Sequence, residues 1–266
     1  VELVGFSKDI PTKPSLFEIA KVSEGMTSIT GNIEDFAAIQ KVLKENKPEI
    51  VIHMAAQSLV RKSYEEPINT FATNVMGTVN LLQAVKTTGS TRVLVNITSD
   101  KCYENKDTEK AFSENSPMGG YDPYSSSKGC AELVTSAFRD SFFNPKEFER
   151  HRLSLSSVRS GNVIGGGDWA KDRLIPDIMN SISKRIPTQI RNTRSIRPWQ
   201  FVLEPLFGYL ILAQRMWEEG KEFSELWNFG PDETDCKSVK WILEKISKEL
   251  DDGFSWKEDT RDNTHE

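Results

Sequence analysis

RVLVNIT, residues 92–98, runs directly into Ser99-Asp100-Lys101, and this stretch decides the fold. The apolar run reads as a strand that delivers the polar triplet at its carboxyl end. In open α/β sheets ligands gather at such ends. On its amino side, residues 49–54 (EIVIHM) read as a buried strand. Pro67 opens a long helix that buries Phe71, Val75, Thr78, Leu82 and Val85 and ends near Gly89. Residues 34–46 read as a helix, with Phe36, Ile39 and Leu43 on one face, and residues 1–6 read as a strand. On its carboxyl side, a polar loop over 105–123 leads to a helix over 123–140, then a strand over 153–158 and a glycine-rich loop over 161–167. Alternating strands and helices imply a parallel sheet covered by helices.

Beyond that point the alternation loosens. Residues 174–184, 204–218 and 239–250 look helical, while 189–191 and 226–229 look like short strands. The expected organisation is an α/β, Rossmann-type doubly wound sheet over 1–158. A smaller substrate lobe is expected over 159–266, with some of its segments returning to the sheet. A dinucleotide fold normally opens with a strand, a glycine-rich turn and a helix. No such unit opens this sequence, so the first of these units is expected to be absent. Residues 262–266 are expected to stop without a cap.

The chain has 266 residues, a net charge of −5 and three cysteines, Cys102, Cys130 and Cys236. The acidic balance argues against nucleic acid as a partner. No apolar run approaches the ~20 residues of a membrane span, and no signal peptide is visible. The cysteines fit a reducing, cytoplasmic setting. His53, His151 and His265 lack metal-ligand spacing, so no metal is expected.

Tyr124 and Lys128 stand four apart at the start of the 123–140 helix, which places them on one face. A nearby ammonium favours the phenolate, which can take a hydroxyl proton as hydride leaves. The alternative is a solvated first helical turn. Asp100 could protonate a departing hydroxyl if kept protonated. Lys101 could remove a proton alpha to a ketone if its pKa is depressed, and Ser99 could bond the hydroxyl being oxidised. The alternative for this triplet is an ordinary turn after a strand. Ala55 and Ala56 allow close approach of a cofactor, and Gln57 could face the substrate. Asn74 is either a cofactor-side polar group or a hydrogen-bonded buried amide. Arg191, Arg194 and Arg197 form a basic cluster whose guanidinium forks suit a diphosphate, although Arg194 reads better as a surface charge.

MAAQ (54–57), TNVMGT (73–78), NITSDKCYE (96–104), PMGGYDPYSSSKGCAE (117–132), VRSGNVIGGGDWAKDRLIPD (158–177) and SIRPWQFVLEPL (195–206) together resemble the CDP-glucose 4,6-dehydratases of the extended short-chain dehydrogenase/reductase superfamily. The resemblance implies a bound NAD and a nucleotide-sugar substrate, CDP-glucose. It implies Tyr124 as the base at sugar carbon 4, aided by Lys128 and Ser99. Lys101 would take the carbon-5 proton, standing where related dTDP-glucose dehydratases have glutamate. Asp100 would protonate the leaving hydroxyl of carbon 6. Asn32, Ile33, Ala55, Ala56, Gln57, Asn74, Thr98, Tyr124 and Lys128 would line the cofactor, with Asn32 where the family usually has aspartate. Gln57, Ser99, Asn162, Arg173, Leu174, Ile175, Arg191 and Arg197 would hold the sugar nucleotide. The resemblance further implies a homo-oligomer, a dimer or tetramer, in bacterial deoxysugar and O-antigen synthesis. Alternatives are another dehydratase or epimerase of the superfamily, or an inactive nucleotide-sugar-binding protein.

Overall fold

The structure is a computed structural model, and it describes residues 1–106, 111–250 and 254–259. In chain order the strands are β1 (Val4–Ser7), β2 (Thr27–Thr30), β3 (Ile50–His53), β4 (Val93–Ile97), β5 (Ser154–Ser160), β6 (Val163–Ile164), β7 (Thr188–Ile190), β8 (Ile196–Pro198), β9 (Gln200–Phe201), β10 (Leu226–Phe229), β11 (Cys236–Ser238) and β12 (Trp256–Glu258). The chain divides into two compact units. One comprises Val1–Asp9, Ser23–Ser160 and Glu204–Phe229. The other comprises Ile10–Val22, Gly161–Leu203 and Gly230–Glu266.

The first unit holds a parallel sheet in the order β10-β5-β4-β3, and β1 pairs with β2 in a separate parallel ribbon. Side chains alternate across each strand, and both faces of the larger sheet are covered. Leu94 and Leu155 pack with Ile39, Leu43, Leu81, Leu82 and Val85 on one side. Val93, Val95 and Val158 pack with Tyr209, Leu212 and Met216 on the other. Helix Leu203–Glu219, from Glu204 onward, and strand β10 belong to the first unit. Residues 10–22 cluster with the second unit, which a division at 158 does not capture. That excursion is short and holds only a four-residue α-helix, Leu16–Ile19, so its sequence carries no sustained periodic signal to mark it.

The helix expected from Pro67 to Gly89 runs as Pro67–Phe71, a π turn over Ala72–Met76, and Gly77–Thr88. Gly89 ends it with φ 69°, the left-handed cap that glycine adopts without strain. Gly77 is needed for another reason. A Cβ there would lie 2.7 Å from Cγ2 of Ile33, so glycine lets this helix close on the turn after β2. Asn80 Nδ2 donates to the carbonyl of Glu34 at 2.9 Å and fastens the same turn.

The second unit is built from β6 paired with β9, β8 with β11 and β7 with β12. The glycine-rich loop expected over 161–167 therefore contains a short strand. Its core joins Ile178, Ile190, Val239, Leu243 and Phe254, with Leu174 and Ile175 packed against them. The expectation about 262–266 falls outside the described residues.

Candidate active site

Helix Pro123–Phe142 carries the tyrosine and lysine, and its start is fixed by sequence. Asp122 caps it by accepting the Ser125 amide at 2.9 Å, and Pro123 occupies the first turn. The buried Ser63 hydroxyl accepts the Tyr124 amide at 3.1 Å. Gly120 touches the first turn so closely that a Cβ would lie 2.2 Å from the Ser125 carbonyl carbon. The buried stripe then reads Tyr124, Ser127, Lys128, Ala131, Glu132 and Thr135. This is core spacing filled mostly by polar groups, which must therefore be satisfied inside the protein.

They are. Thr135 Oγ1 accepts from Asn96 Nδ2 at 2.7 Å, and Ser127 Oγ accepts from Asn74 Nδ2 at 2.8 Å. Lys128 Nζ donates to the Ile97 carbonyl, the last residue of β4, at 3.3 Å. Burial pushes the Lys128 ammonium down to about 8, against the pull of Glu132, which favours its charge. His53, at the end of β3, is buried beside it. Burial, reinforced by the Lys128 charge, lowers His53 to about 3. The imidazole is thus neutral at physiological pH. Since Thr78 Oγ1 donates to the Asn74 carbonyl, His53 Nε2–H is the donor to Thr78 at 3.2 Å.

The Ser99-Asp100-Lys101 triplet is a single 3-10 turn, Asp100–Cys102, capped by Ser99. Ser99 is buried, Asp100 half-buried and Lys101 exposed. The Ser99 hydroxyl accepts the Lys101 amide at 3.2 Å and donates to Asp100 Oδ1 at 3.0 Å. The turn rests on the tyrosine helix: a Cβ at Gly129 would stand 3.3 Å from the Cys102 carbonyl oxygen. That same oxygen accepts the Gly119 amide at 2.9 Å. Burial raises the Cys102 thiol to about 12, so it stays neutral. The structure therefore brings Ser99, Asp100, Lys101, Tyr124 and Lys128 onto one strand end and the helix packed against it.

The residues expected to line a cofactor are in the same unit, and several are already engaged. Asn74 is a satisfied buried amide: its Oδ1 accepts the Gln57 amide at 2.8 Å, and its Nδ2 donates to the Gln57 carbonyl at 3.0 Å. The Gln57 side chain donates to Thr70 Oγ1 at 3.0 Å and accepts the Leu59 amide at 2.6 Å. The Thr98 hydroxyl turns inward to Glu132 and the Val158 carbonyl. Ile33 is buried in the core, Asn32 Oδ1 accepts the Glu34 amide at 3.1 Å, and Ala55 and Ala56 are half-buried. Asn162, Arg173, Leu174, Ile175, Arg191 and Arg197 belong to the second unit. There Arg173 pairs with Asp168 at 3.1 Å, Arg191 bonds the Asp172 carbonyl at 3.3 Å and Arg197 bonds the Ile196 carbonyl at 3.2 Å.

Sequence reasoning passed over Ser63, His53, Tyr103, Glu132 and Arg159. The last two had a legible signal. Glu132 repeats the Tyr124-to-Lys128 spacing one turn further on, and Arg159 is a charge inside an otherwise buried strand.

A family model described as GDP-mannose 4,6 dehydratase matches residues 12–223. CDP-glucose 4,6-dehydratase of Salmonella typhimurium is 58% identical over 98% of this chain and 73% of the relative. The chain belongs to the 4,6-dehydratase family. A more distant relative, dTDP-glucose 4,6-dehydratase of Xanthomonas campestris pv. campestris, is 32% identical over 65% of this chain and 49% of its own length. In fold, the chain is similar to the Streptomyces venezuelae dTDP-glucose 4,6-dehydratase solved with NAD bound. The TM-score is 0.79 and the identity 20%, covering 98% of this chain and 76% of that one. It is also similar to the UDP-glucose 4-epimerase of Thermotoga maritima, with a TM-score of 0.77, 16% identity, and coverage of 99% and 80%. One fold serves both reactions, so the site residues must decide between them.

Proposed function

We propose that this protein converts CDP-glucose to CDP-4-keto-6-deoxyglucose and water, with NAD as its retained cofactor. The observation that carries this reading is the buried Lys128. Its ammonium bonds the Ile97 carbonyl, two residues before the Ser99 cap of the turn that presents Asp100 and Lys101. Oxidising and dehydrating groups are thereby tied to one strand end, and an epimerase has no use for the second set. The close dehydratase relative supports the same reaction and the cytidine nucleotide.

The donor set fits the ribose and nicotinamide end of NAD. A buried ammonium and a tyrosine share one helix face, and the small side chains of Ala55 and Ala56 follow the end of β3. When bound, NAD supplies the acceptor for the carbon-4 hydride and returns that hydride to carbon 6. The chain does the rest. Tyr124, as phenolate, takes the carbon-4 hydroxyl proton, and the Lys128 charge stabilises that phenolate. The new ketone acidifies the carbon-5 hydrogen, which Lys101 removes. Ser99 donates to Asp100 Oδ1, so the proton that Asp100 gives the departing carbon-6 hydroxyl would sit on Oδ2. Within the second unit, Arg191 and Arg197 would neutralise the diphosphate.

By the same reading the enzyme works in the cytoplasm and feeds bacterial deoxysugar and O-antigen synthesis. Among the described residues no helix is long and apolar enough to cross a membrane. Exposed Ile68, Met76 and Leu133, on the two long helices, support assembly into a dimer or tetramer. The test is a panel of CDP-, dTDP-, UDP- and GDP-sugars with product analysis. Loss of one water and a 4-keto chromophore in base with CDP-glucose is the expected result. An isomer of unchanged mass would mean an epimerase, and binding without turnover an inactive binder.

A further inference from the structure

A buried ion pair lies behind the proposed acid and base, and its partners are unusual. Glu132 and Arg159 are each 1% exposed. Arg159 Nε and Nη2 grip the two Glu132 oxygens at 2.9 and 2.8 Å, a bidentate fork that fixes orientation as well as charge. Glu132 Oε1 also accepts the Thr98 hydroxyl. Arg159 Nη1 donates to Tyr103 Oη at 2.6 Å and to the Glu114 carbonyl at 3.1 Å. Burial works against the Arg159 charge, but hydrogen bonds to Glu132 and its charge raise the Arg159 pKa, so the guanidinium stays charged.

Thr98 and Tyr103 bracket the turn that carries Ser99, Asp100 and Lys101. One precedes the Ser99 cap and the other follows Cys102. Both hydroxyls end on the same ion pair. Tyr103 Oη donates onward to Asn228 Oδ1 at 2.7 Å, and its ring stacks on Phe112 at 4.7 Å. Stability alone is a poor reason for this arrangement. Desolvating two charges is costly, and apolar replacements of buried ion pairs are often neutral or stabilising. What a bidentate, fully bonded pair provides is a single geometry.

We propose that the Glu132–Arg159 pair, acting through Thr98 and Tyr103, is a positioning device that clamps both ends of the 99–102 turn and so sets where Asp100 and Lys101 stand over the tyrosine helix. This rests on the dehydration reading given above. Tyr103 is the cleanest handle, because Tyr103→Phe removes one hydroxyl and keeps the ring stacked on Phe112.

The experiment has two arms, both on the whole 266-residue chain. Hydrogen exchange reads the clamp without substrate. The amides of Lys101, Cys102 and Tyr103 bond Ser99 Oγ, the Ser99 carbonyl and the Asp100 carbonyl. In Tyr103→Phe their exchange should quicken roughly 10-fold or more, with the amides of helix Pro123–Phe142 unchanged, since a hydrogen bond to a charged group is lost. Single-turnover kinetics with CDP-glucose read the consequence. Water loss should slow roughly 10- to 100-fold while formation of the reduced nicotinamide stays within about 3-fold. In an Asp100→Asn background Tyr103→Phe should cost less than it does in the parent chain, because part of its effect runs through that residue.

Unchanged exchange in Tyr103→Phe overturns the clamp. Equal slowing of oxidation and dehydration, or full additivity with Asp100→Asn, also overturns it and leaves an ordinary structural pair. If the wild-type chain releases no water from CDP-glucose, the functional reading fails by itself, and the exchange arm still decides the clamp.

Discussion

The two units hold their candidate functional groups in opposite ways. In the first, Lys128, Ser99 and Tyr124 are buried on a capped helix and a strand end, and their neighbours are bonded without any ligand. In the second, Arg173 shares a half-exposed pair with Asp168, while Arg197 and Arg191 each bond one backbone carbonyl. The first arrangement suits proton transfer, which needs groups placed before the substrate arrives. The second suits recognition of a charged, flexible diphosphate, where side chains can adjust. On the proposed reading, the difference teaches that the groups for chemistry sit in the core and those for binding sit in half-buried positions with looser partners.

The contrast breaks most sharply at Tyr124. Tyr124→Phe should lower the reduction of bound NAD by CDP-glucose about 10³-fold or more in stopped-flow absorbance, the scale of a lost general base. If oxidation survives, the phenol is not the base and the buried region loses its role.

His53 gives the next effect, on stability. The folded protein keeps it neutral down to about pH 3, whereas the unfolded chain takes a proton near 6.5. Proton uptake on unfolding therefore erodes stability as pH falls from 6.5 toward 3, by an amount on the order of 4 kcal/mol. Urea melts across that range should show the slope, and His53→Gln should flatten it.

Lys128 sharpens the comparison from the other side. Its folded pKa is about 8 against 10.5 when exposed, so below pH 8 the fold carries a buried ammonium at a cost of roughly 3 kcal/mol. Stability should rise as pH climbs from 8 to 10.5. Lys128→Met should melt higher at pH 7 than the parent, lose that advantage across the same window, and fail to oxidise CDP-glucose. A lower melting temperature would mean that the lysine supports the fold rather than burdening it.

In the second unit the effects should be smaller. Arg191→Ala or Arg197→Ala should raise KM for CDP-glucose about 10-fold with kcat nearly unchanged, the signature of uniform binding. A fall in kcat instead would show these arginines to be as preorganised as the first unit's groups. Asp168→Asn, which breaks a half-exposed pair, should change the unfolding free energy by less than about 1 kcal/mol in urea melts.

Much of this was legible in the chain. The helix 174–184 and the strand 226–229 stand where the sequence pattern put them, and the tyrosine helix begins at Pro123, where the 123–140 helix was expected to start. The polar network was not legible. Gln57 and Thr98 read as ligand-facing, yet their side chains bond Thr70 and Glu132 instead. A hydroxyl or amide carries no sequence mark of which way it turns, because its partner is set by packing: Thr70 lies 13 residues from Gln57 and Glu132 lies 34 from Thr98. The same holds for residues 10–22, which join the second unit through contacts that no local pattern encodes.

Sequence by itself determined the alternation of strands and helices, the helix caps, and the spacing that puts Tyr124 and Lys128 on one face. These depend on local backbone geometry and on apolar periodicity, both of which are written in consecutive residues. Only the tertiary structure decided that Glu132 and Arg159 meet, that Thr98 and Tyr103 close on them, and that Lys128 is buried enough for its charge to weaken. Those outcomes depend on desolvation and on pairing across distant segments, and they exist only once the chain has packed.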